Sequence, residues 1–196
     1  PRICPAEDID VNDFSNALPD AIWQKLVAII RIAVPYTGMI VSTRENEENR
    51  RIALELGVSQ ISGASKTSVG GYANPEEDRE NTAQFDRSDT RTLDEVADWL
   101  IRMGYIPSFC TACYREGRTG DRFMSLAKSG AIGNCCQPNA LMTLKEYLID
   151  YASETTREHG EKLIEKELLN IPNEKVRQIT VDNLKKIENN ERDFRF

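Results

Sequence analysis

Three cysteines spaced Cys110-x2-Cys113-x22-Cys136 constrain this chain more than any other feature. Two thiols at i and i+3 can face one centre, and a third must then be carried to it from a distant segment. A structural zinc site takes four ligands, mostly Cys and His. Cys135 could supply the fourth, but adjacent side chains seldom turn to one metal, so it reads as a non-ligand. His159, the only histidine, sits in the charged stretch Arg157-Glu158-His159-Gly160-Glu161-Lys162 and reads as solvated. Three thiolates without a fourth suit an iron–sulfur cluster with one iron left open. Between Cys113 and Cys135, Arg115, Arg118, Arg122 and Lys128 face only Glu116 and Asp121. Cations beside thiolates lower their pKa and offset cluster charge. The plainer reading, buried cysteines acting as small hydrophobes, stays open on spacing alone. Cys4 reads as packing.

The rest of the composition narrows the class. The chain has 196 residues, a net charge of −7 and 40% hydrophobic residues. An acidic balance of this size argues against binding a phosphate backbone, so no nucleic-acid partner is expected. The longest apolar run, Leu26 to Val34, is interrupted by Arg31. A spanning helix needs about 20 apolar residues, so no membrane segment is expected. An odd number of cysteines, four of them clustered, with no secretion signal, points to a reduced, cytoplasmic protein rather than a disulfide framework. The chain opens Pro1-Arg2-Ile3-Cys4-Pro5 without an initiating Met or signal-peptide pattern, and reads as part of a longer polypeptide.

The first half alternates helix and strand. Trp23, Leu26, Val27 and Ile30 share a helical face, with Pro19 at its start and Pro35 past its end. Gly38 to Thr43 reads as a buried strand, Glu45 to Leu56 as a helix stopped by Gly57, and Val58 to Ser62 as a second strand. Two strands bridged by one helix form a βαβ unit with parallel strands. Residues 63–91 read as a long Gly-, Ser- and charge-rich loop, including the acidic run Glu76 to Glu80. Thr92-Leu93-Asp94-Glu95 is a capping box that opens a helix with Leu93, Val96, Ala97, Leu100 and Ile101 on one stripe. From Asp121 onward the pattern is helical, with a stripe at Leu141, Leu144, Tyr147, Leu148 and Tyr151. Leu163, Leu168 and Leu169 form a weaker stripe, Val176 to Ile187 a last helix, and the charged end 188–196 is expected to fray.

The fold class expected is therefore α/β followed by α. A closed (β/α)8 barrel takes about 250 residues. If residues 1–105 are barrel material, they are its last strands and helices, and 106–196 form a separate helical domain. In such barrels, residues at the C-terminal ends of strands build the substrate site. Arg44 and Ser62 stand at those ends. A guanidinium is a bidentate partner for a carboxylate, and Ser62 could bond the same group or an amine. A structural pairing of Arg44 with Glu45 or Glu47 remains the alternative.

The segment 110–123, Cys-Thr-Ala-Cys-Tyr-Arg-Glu-Gly-Arg-Thr-Gly-Asp-Arg-Phe, resembles the auxiliary-cluster motif of the HydG-type tyrosine lyases. These are radical S-adenosylmethionine enzymes of [FeFe]-hydrogenase maturation, with a C-terminal C-x2-C-x22-C pattern. Tyr36 to Glu45, Ser59 to Gly63 and Ser68 to Tyr72 are similar to the same family, and the likeness runs along the whole chain. The thiamine-pathway tyrosine lyases share the barrel elements but lack the cysteine trio. The resemblance implies a (β/α)8 radical-SAM barrel end followed by a helical auxiliary-cluster domain. It implies a lyase that cleaves L-tyrosine to p-cresol and makes CO and cyanide for the hydrogenase H-cluster. Cys110, Cys113 and Cys136 would hold an auxiliary [4Fe–4S] cluster able to take an extra iron, with iron and cysteine as its partners. Arg44 and Ser62 would bind the tyrosine. Other hydrogenase maturation proteins are implied partners. S-adenosylmethionine and its own [4Fe–4S] cluster would belong to the full-length protein, since the family's C-x3-C-x2-C motif is absent here. On this reading the chain by itself lacks the radical step, and no catalytic residue is assigned within it. The competing class is a non-catalytic zinc or iron–sulfur module.

Overall fold

The computed structural model describes residues 10, 18–68, 70–73 and 87–196. Cys4, the Pro1-Arg2 opening and the acidic run Glu76 to Glu80 lie outside the described residues. The chain divides into two compact units, 1–92 and 93–196.

The first unit is built on a single βαβ crossover. Helix α1 (Asp20–Ala33) starts after Pro19, whose fixed φ suits a helix entry. Strand β1 (Ile40–Val41), helix α2 (Glu47–Glu55) and strand β2 (Gln60–Ile61) follow. Asn46 caps α2, its side chain accepting from the Asn49 amide. Gly57 ends that helix at φ +95, where a side chain would be strained and a Cβ would also meet the Arg31 side chain at 3.1 Å. The strands pair in parallel, Ile40 opposite Gln60 and Val41 opposite Ile61. Both strands are shorter than their sequence patterns suggest. The bonding nevertheless runs on past them, from Ser59 and Gln60 amides onto Met39 to the Ser62 amide on Val41.

The core of this unit is small: Val27, Val41, Ala53 and Val58, with Trp23, Met39, Leu56 and Ile61 packed around it. Arg31, which interrupts the apolar run of α1, is its latch. Its guanidinium donates to the carbonyls of Gly57, Pro35 and Thr37 at 2.7 to 2.9 Å. The expected single stripe on α1 is only partly buried: Val27 is inside, whereas Leu26 and Ile30 are exposed, as are Ile29 and Ile32. The described residues of this unit are too few to cover a helix that is apolar on several sides.

The second unit is helical: α3 (Leu93–Arg102), α4 (Ala112–Arg115), α5 (Gly120–Lys128), α6 (Gly133–Asp150), α7 (Glu154–Leu168) and α8 (Glu174–Glu188). Helix α3, which sequence pattern groups with the α/β part, packs on α7, while α6 packs on α7 and α8. Leu141, Leu144 and Leu148 are fully enclosed, with Met142, Leu163, Ile164, Leu184 and Ile187 around them. Tyr151, the last member of the expected stripe, lies outside the helix and is exposed. Leu169 is likewise exposed. Gly160 lets α7 approach α6 closely, since a Cβ there would sit 2.5 Å from Leu148 Cδ1. The buried Lys145 ammonium ties three helices together through Glu161 at 2.6 Å and Glu188 at 2.8 Å. His159 is not simply solvated: its Nδ1 lies 2.6 Å from Asp98 on α3.

The C-terminal end does not fray as its charge pattern suggests. Arg192 pairs with Asp150, Asp193 with Arg115, and Arg195 with Glu116. The Phe196 amide donates to Asn139 Oδ1 at 2.9 Å. These arginines hold the carboxyls of Asp150, Asp193 and Glu116 below their ordinary values. A carboxyl lowered on folding contributes stability that is present above its ordinary pKa and is lost as pH falls through the lowered value. Backbone 15N relaxation should therefore show residues 192–196 ordered at neutral pH and mobile only under acid conditions. A tail already mobile at neutral pH would contradict these pairings.

Candidate functional site

The cysteine site lies within the helical unit. Cys110 precedes α4, Cys113 lies within it, and Cys135 and Cys136 occupy the first turn of α6. The loop before α4 is shaped by local bonds, Cys110 N to Ser108 Oγ and Ala112 N to Cys110 Sγ, each 3.4 Å. An amide aimed at a sulfur is one of the contacts that tune iron–sulfur ligands. After α4 the chain turns at Gly117, φ +60, and the Arg118 amide closes back onto the Cys113 carbonyl at 2.7 Å. Successive helix residues point about 100° apart, so Cys135 and Cys136 take different directions. Cys135 Sγ receives a bond from Arg118 Nη1 at 3.2 Å.

All four thiols are free, three half-buried and Cys136 exposed. Although Cys136 reaches the surface, crowding around its sulfur is the main force pushing that thiol up. The sulfurs of Cys113, Cys110 and Cys135 push it further, and Arg118 pulls against them. The thiols of both segments thus lie within electrostatic reach of one another. Among the described residues, no three His, Cys, Asp or Glu side chains gather around a position for a single metal ion. The donor set fits a thiolate-bound cluster. Thiols are the ligands such clusters take, and a bound metal deprotonates its thiols outright.

In the first unit, Arg44 and Ser62 follow the C-terminal ends of the two parallel strands. The Ser62 amide donates to the Val41 carbonyl at 3.0 Å, and the Arg44 amide lies 3.3 Å from Ser42 Oγ. Sequence reasoning missed what braces this edge. Arg50, fully buried on α2, binds the Asp89 carboxylate and the Ser62 carbonyl. The Asp89 and Ser88 amides both donate to the Thr43 carbonyl at 3.0 Å. Burial, then Arg91, draws the Arg50 guanidinium down to about 10, so it stays protonated at neutral pH. An arginine inside a helix beside Glu47 and Glu48 reads as one more surface charge, and the Asp89 that encloses it is 39 residues away.

Residues 1–106, the first unit together with α3, define the class: they match the Biotin and Thiamin Synthesis associated domain, and the chain belongs to that family. Among solved structures, the chain is similar to HydG, a maturase of the [FeFe]-hydrogenase. The identity is 51% and the TM-score 0.92, over 100% of this chain and 42% of that one. HydG from Carboxydothermus hydrogenoformans is 36% identical with a TM-score of 0.63, over 87% of this chain and 35% of that one. The chain therefore spans well under half the length of these relatives. No curated protein matches it. No helix among the described residues is long and apolar enough to cross a membrane.

Proposed function

We propose that the chain forms the C-terminal part of a cytoplasmic radical S-adenosylmethionine tyrosine lyase of [FeFe]-hydrogenase maturation. The observation that carries this reading is the 51% identity and 0.92 TM-score to HydG along the whole chain. Cys110, Cys113 and Cys136 would hold an auxiliary [4Fe–4S] cluster, which supplies an iron open to a small ligand, an extra iron or cysteine. The wider enzyme would cleave L-tyrosine to p-cresol with S-adenosylmethionine and a second cluster. It would deliver CO and cyanide to other maturation proteins for the H-cluster.

Residues 1–105 are read as the end of a (β/α)8 barrel. The parallel β1–α2–β2 crossover supports this, and so does the exposed apolar surface of α1, the kind of helix that a larger barrel covers. Arg44 and Ser62, past the same strand ends, would orient the tyrosine carboxylate and amine. Anaerobic reconstitution with iron and sulfide tests the cysteine site. A brown protein with about four irons per chain supports it, and one tight zinc with no visible absorbance overturns it.

Arg44 gives a separate prediction. Losing one charge-assisted contact to a carboxylate costs about 1.5–3 kcal/mol, or roughly ten- to a hundredfold in binding. In the full enzyme, Arg44→Ala should raise the tyrosine concentration needed for p-cresol release by that factor and leave the auxiliary iron content unchanged. Unaltered tyrosine dependence would remove Arg44 from the substrate site.

A further inference from the structure

Arg118 is enclosed, 8% exposed, in a chain whose other arginines near the cysteines reach solvent. Arginine is almost never fully buried unless paired. Among the described residues no Asp or Glu side chain forms an ion pair with it. Its Nη1 donates to Cys135 Sγ, its Nη2 to the Phe196 main-chain oxygen, and its Nε has no partner among the described residues. The Phe196 oxygen is itself fixed. Asn139, 2% exposed and one turn beyond Cys135 on α6, clamps Phe196 by donating to its oxygen and accepting from its amide. The Arg118 main chain is tied to Cys113 through the 2.7 Å bond from its amide. The residue therefore joins both cysteine-bearing segments. It places a buried positive charge beside Cys135 Sγ and leaves its Nε without a hydrogen-bond partner among the described residues. A cluster held by three thiolates is anionic, and the charge around such a cluster is one of the terms that sets its potential.

We propose that Arg118 is the counter-charge of the cysteine site, and that Cys135 is the hydrogen-bonded anchor of that cation rather than an iron ligand. The inference rests on the cluster reading above and adds two residues to it. Arg118 acts as a positioning residue: it touches Cys135 and not the reacting atoms. One-electron reduction of a cluster adds a negative charge, so a fixed cation nearby favours the reduced form. Removing that cation makes the potential more negative.

The test is anaerobic reconstitution of the protein with iron and sulfide, followed by iron analysis and an EPR-monitored redox titration. Arg118→Gln should keep its iron while the cluster potential moves negative. Arg118→Lys, which retains the charge, should return the potential most of the way. Cys135→Ala should also keep its iron, with a smaller negative shift as the guanidinium loses its acceptor. Loss of iron in Cys135→Ala would make Cys135 a ligand and overturn the proposal. So would an unchanged potential in Arg118→Gln, or a Lys variant as negative as the Gln variant. If Arg118→Gln fails to fold, Cys135→Ala decides alone, and an unmoved potential there overturns the anchor role. A wild-type protein that takes up no cluster refutes the cysteine-site reading itself, and this proposal falls with it.

Discussion

Replacing Cys110 or Cys113 by serine is expected to abolish CO and cyanide formation in the full enzyme while p-cresol release continues largely intact. A serine hydroxyl is not ionised at neutral pH and is a poor substitute for a thiolate on iron. Such a change would remove one of the three proposed protein ligands of the cluster. The two cysteines belong to the helical unit, whereas Arg44 and Ser62 belong to the βαβ unit, and each unit carries its own core. A substitution at either cysteine should therefore leave the fold around the proposed tyrosine-binding edge undisturbed. Separate assays for p-cresol and for CO on the same preparation check this, with iron analysis alongside. Parallel loss of p-cresol and CO would mean that the two chemistries are not separable by residue, and would count against the assignment of the cysteines to the later step alone.

The local patterns that carry structure were legible wherever partners lie close in sequence. The βαβ crossover follows from two apolar runs, a helix and Gly57, all within 25 residues, and its parallel register is what a single crossover helix permits. The α6 stripe is legible for the same reason, since Leu141, Leu144 and Leu148 repeat at helical spacing and are fully buried. The tail was not legible. A run such as Glu191-Arg192-Asp193-Phe194-Arg195-Phe196 looks solvated until its partners are known, and those stand at Asp150, Arg115, Glu116 and Asn139. Sequence groups α3 with residues 1–105 because composition changes near residue 105, whereas in packing its stripe finds its partner in α7. The family match ends at residue 106, close to that change in composition, so the family boundary and the packing boundary do not coincide here. At the cysteines, sequence offers the spacing of the proposed ligands and nothing of their surroundings. Arg118 was visible only as one cation among four, because nothing in sequence distinguishes the arginine that will be buried.

Asp89→Ala is expected to destabilise the βαβ unit by about 3–5 kcal/mol, the range for removing one partner of a buried ion pair. The side chain of Arg50 is 0% exposed and that of Asp89 3% exposed. Without the carboxylate, the guanidinium keeps the Ser62 carbonyl but loses its Asp89 charge partner beside a small core. Arg91, which bonds Asp89 at 3.0 and 2.6 Å, loses the same acceptor and adds like charge to the neighbourhood. An exposed ion pair would cost no more than about 1 kcal/mol, so the two cases are well separated. Chemical denaturation followed by the fluorescence of Trp23, which packs against this core, reads the difference. A cost below 1 kcal/mol would show that water reaches the pair. The double variant Arg50→Met with Asp89→Ala should recover much of the loss, because an apolar replacement of a buried pair is often neutral or better. It should not recover tyrosine binding. Arg50 holds Ser62 to Asp89, and Asp89 leans on Thr43 beside Arg44, so this pair fixes the spacing of the two strand ends that would receive the substrate.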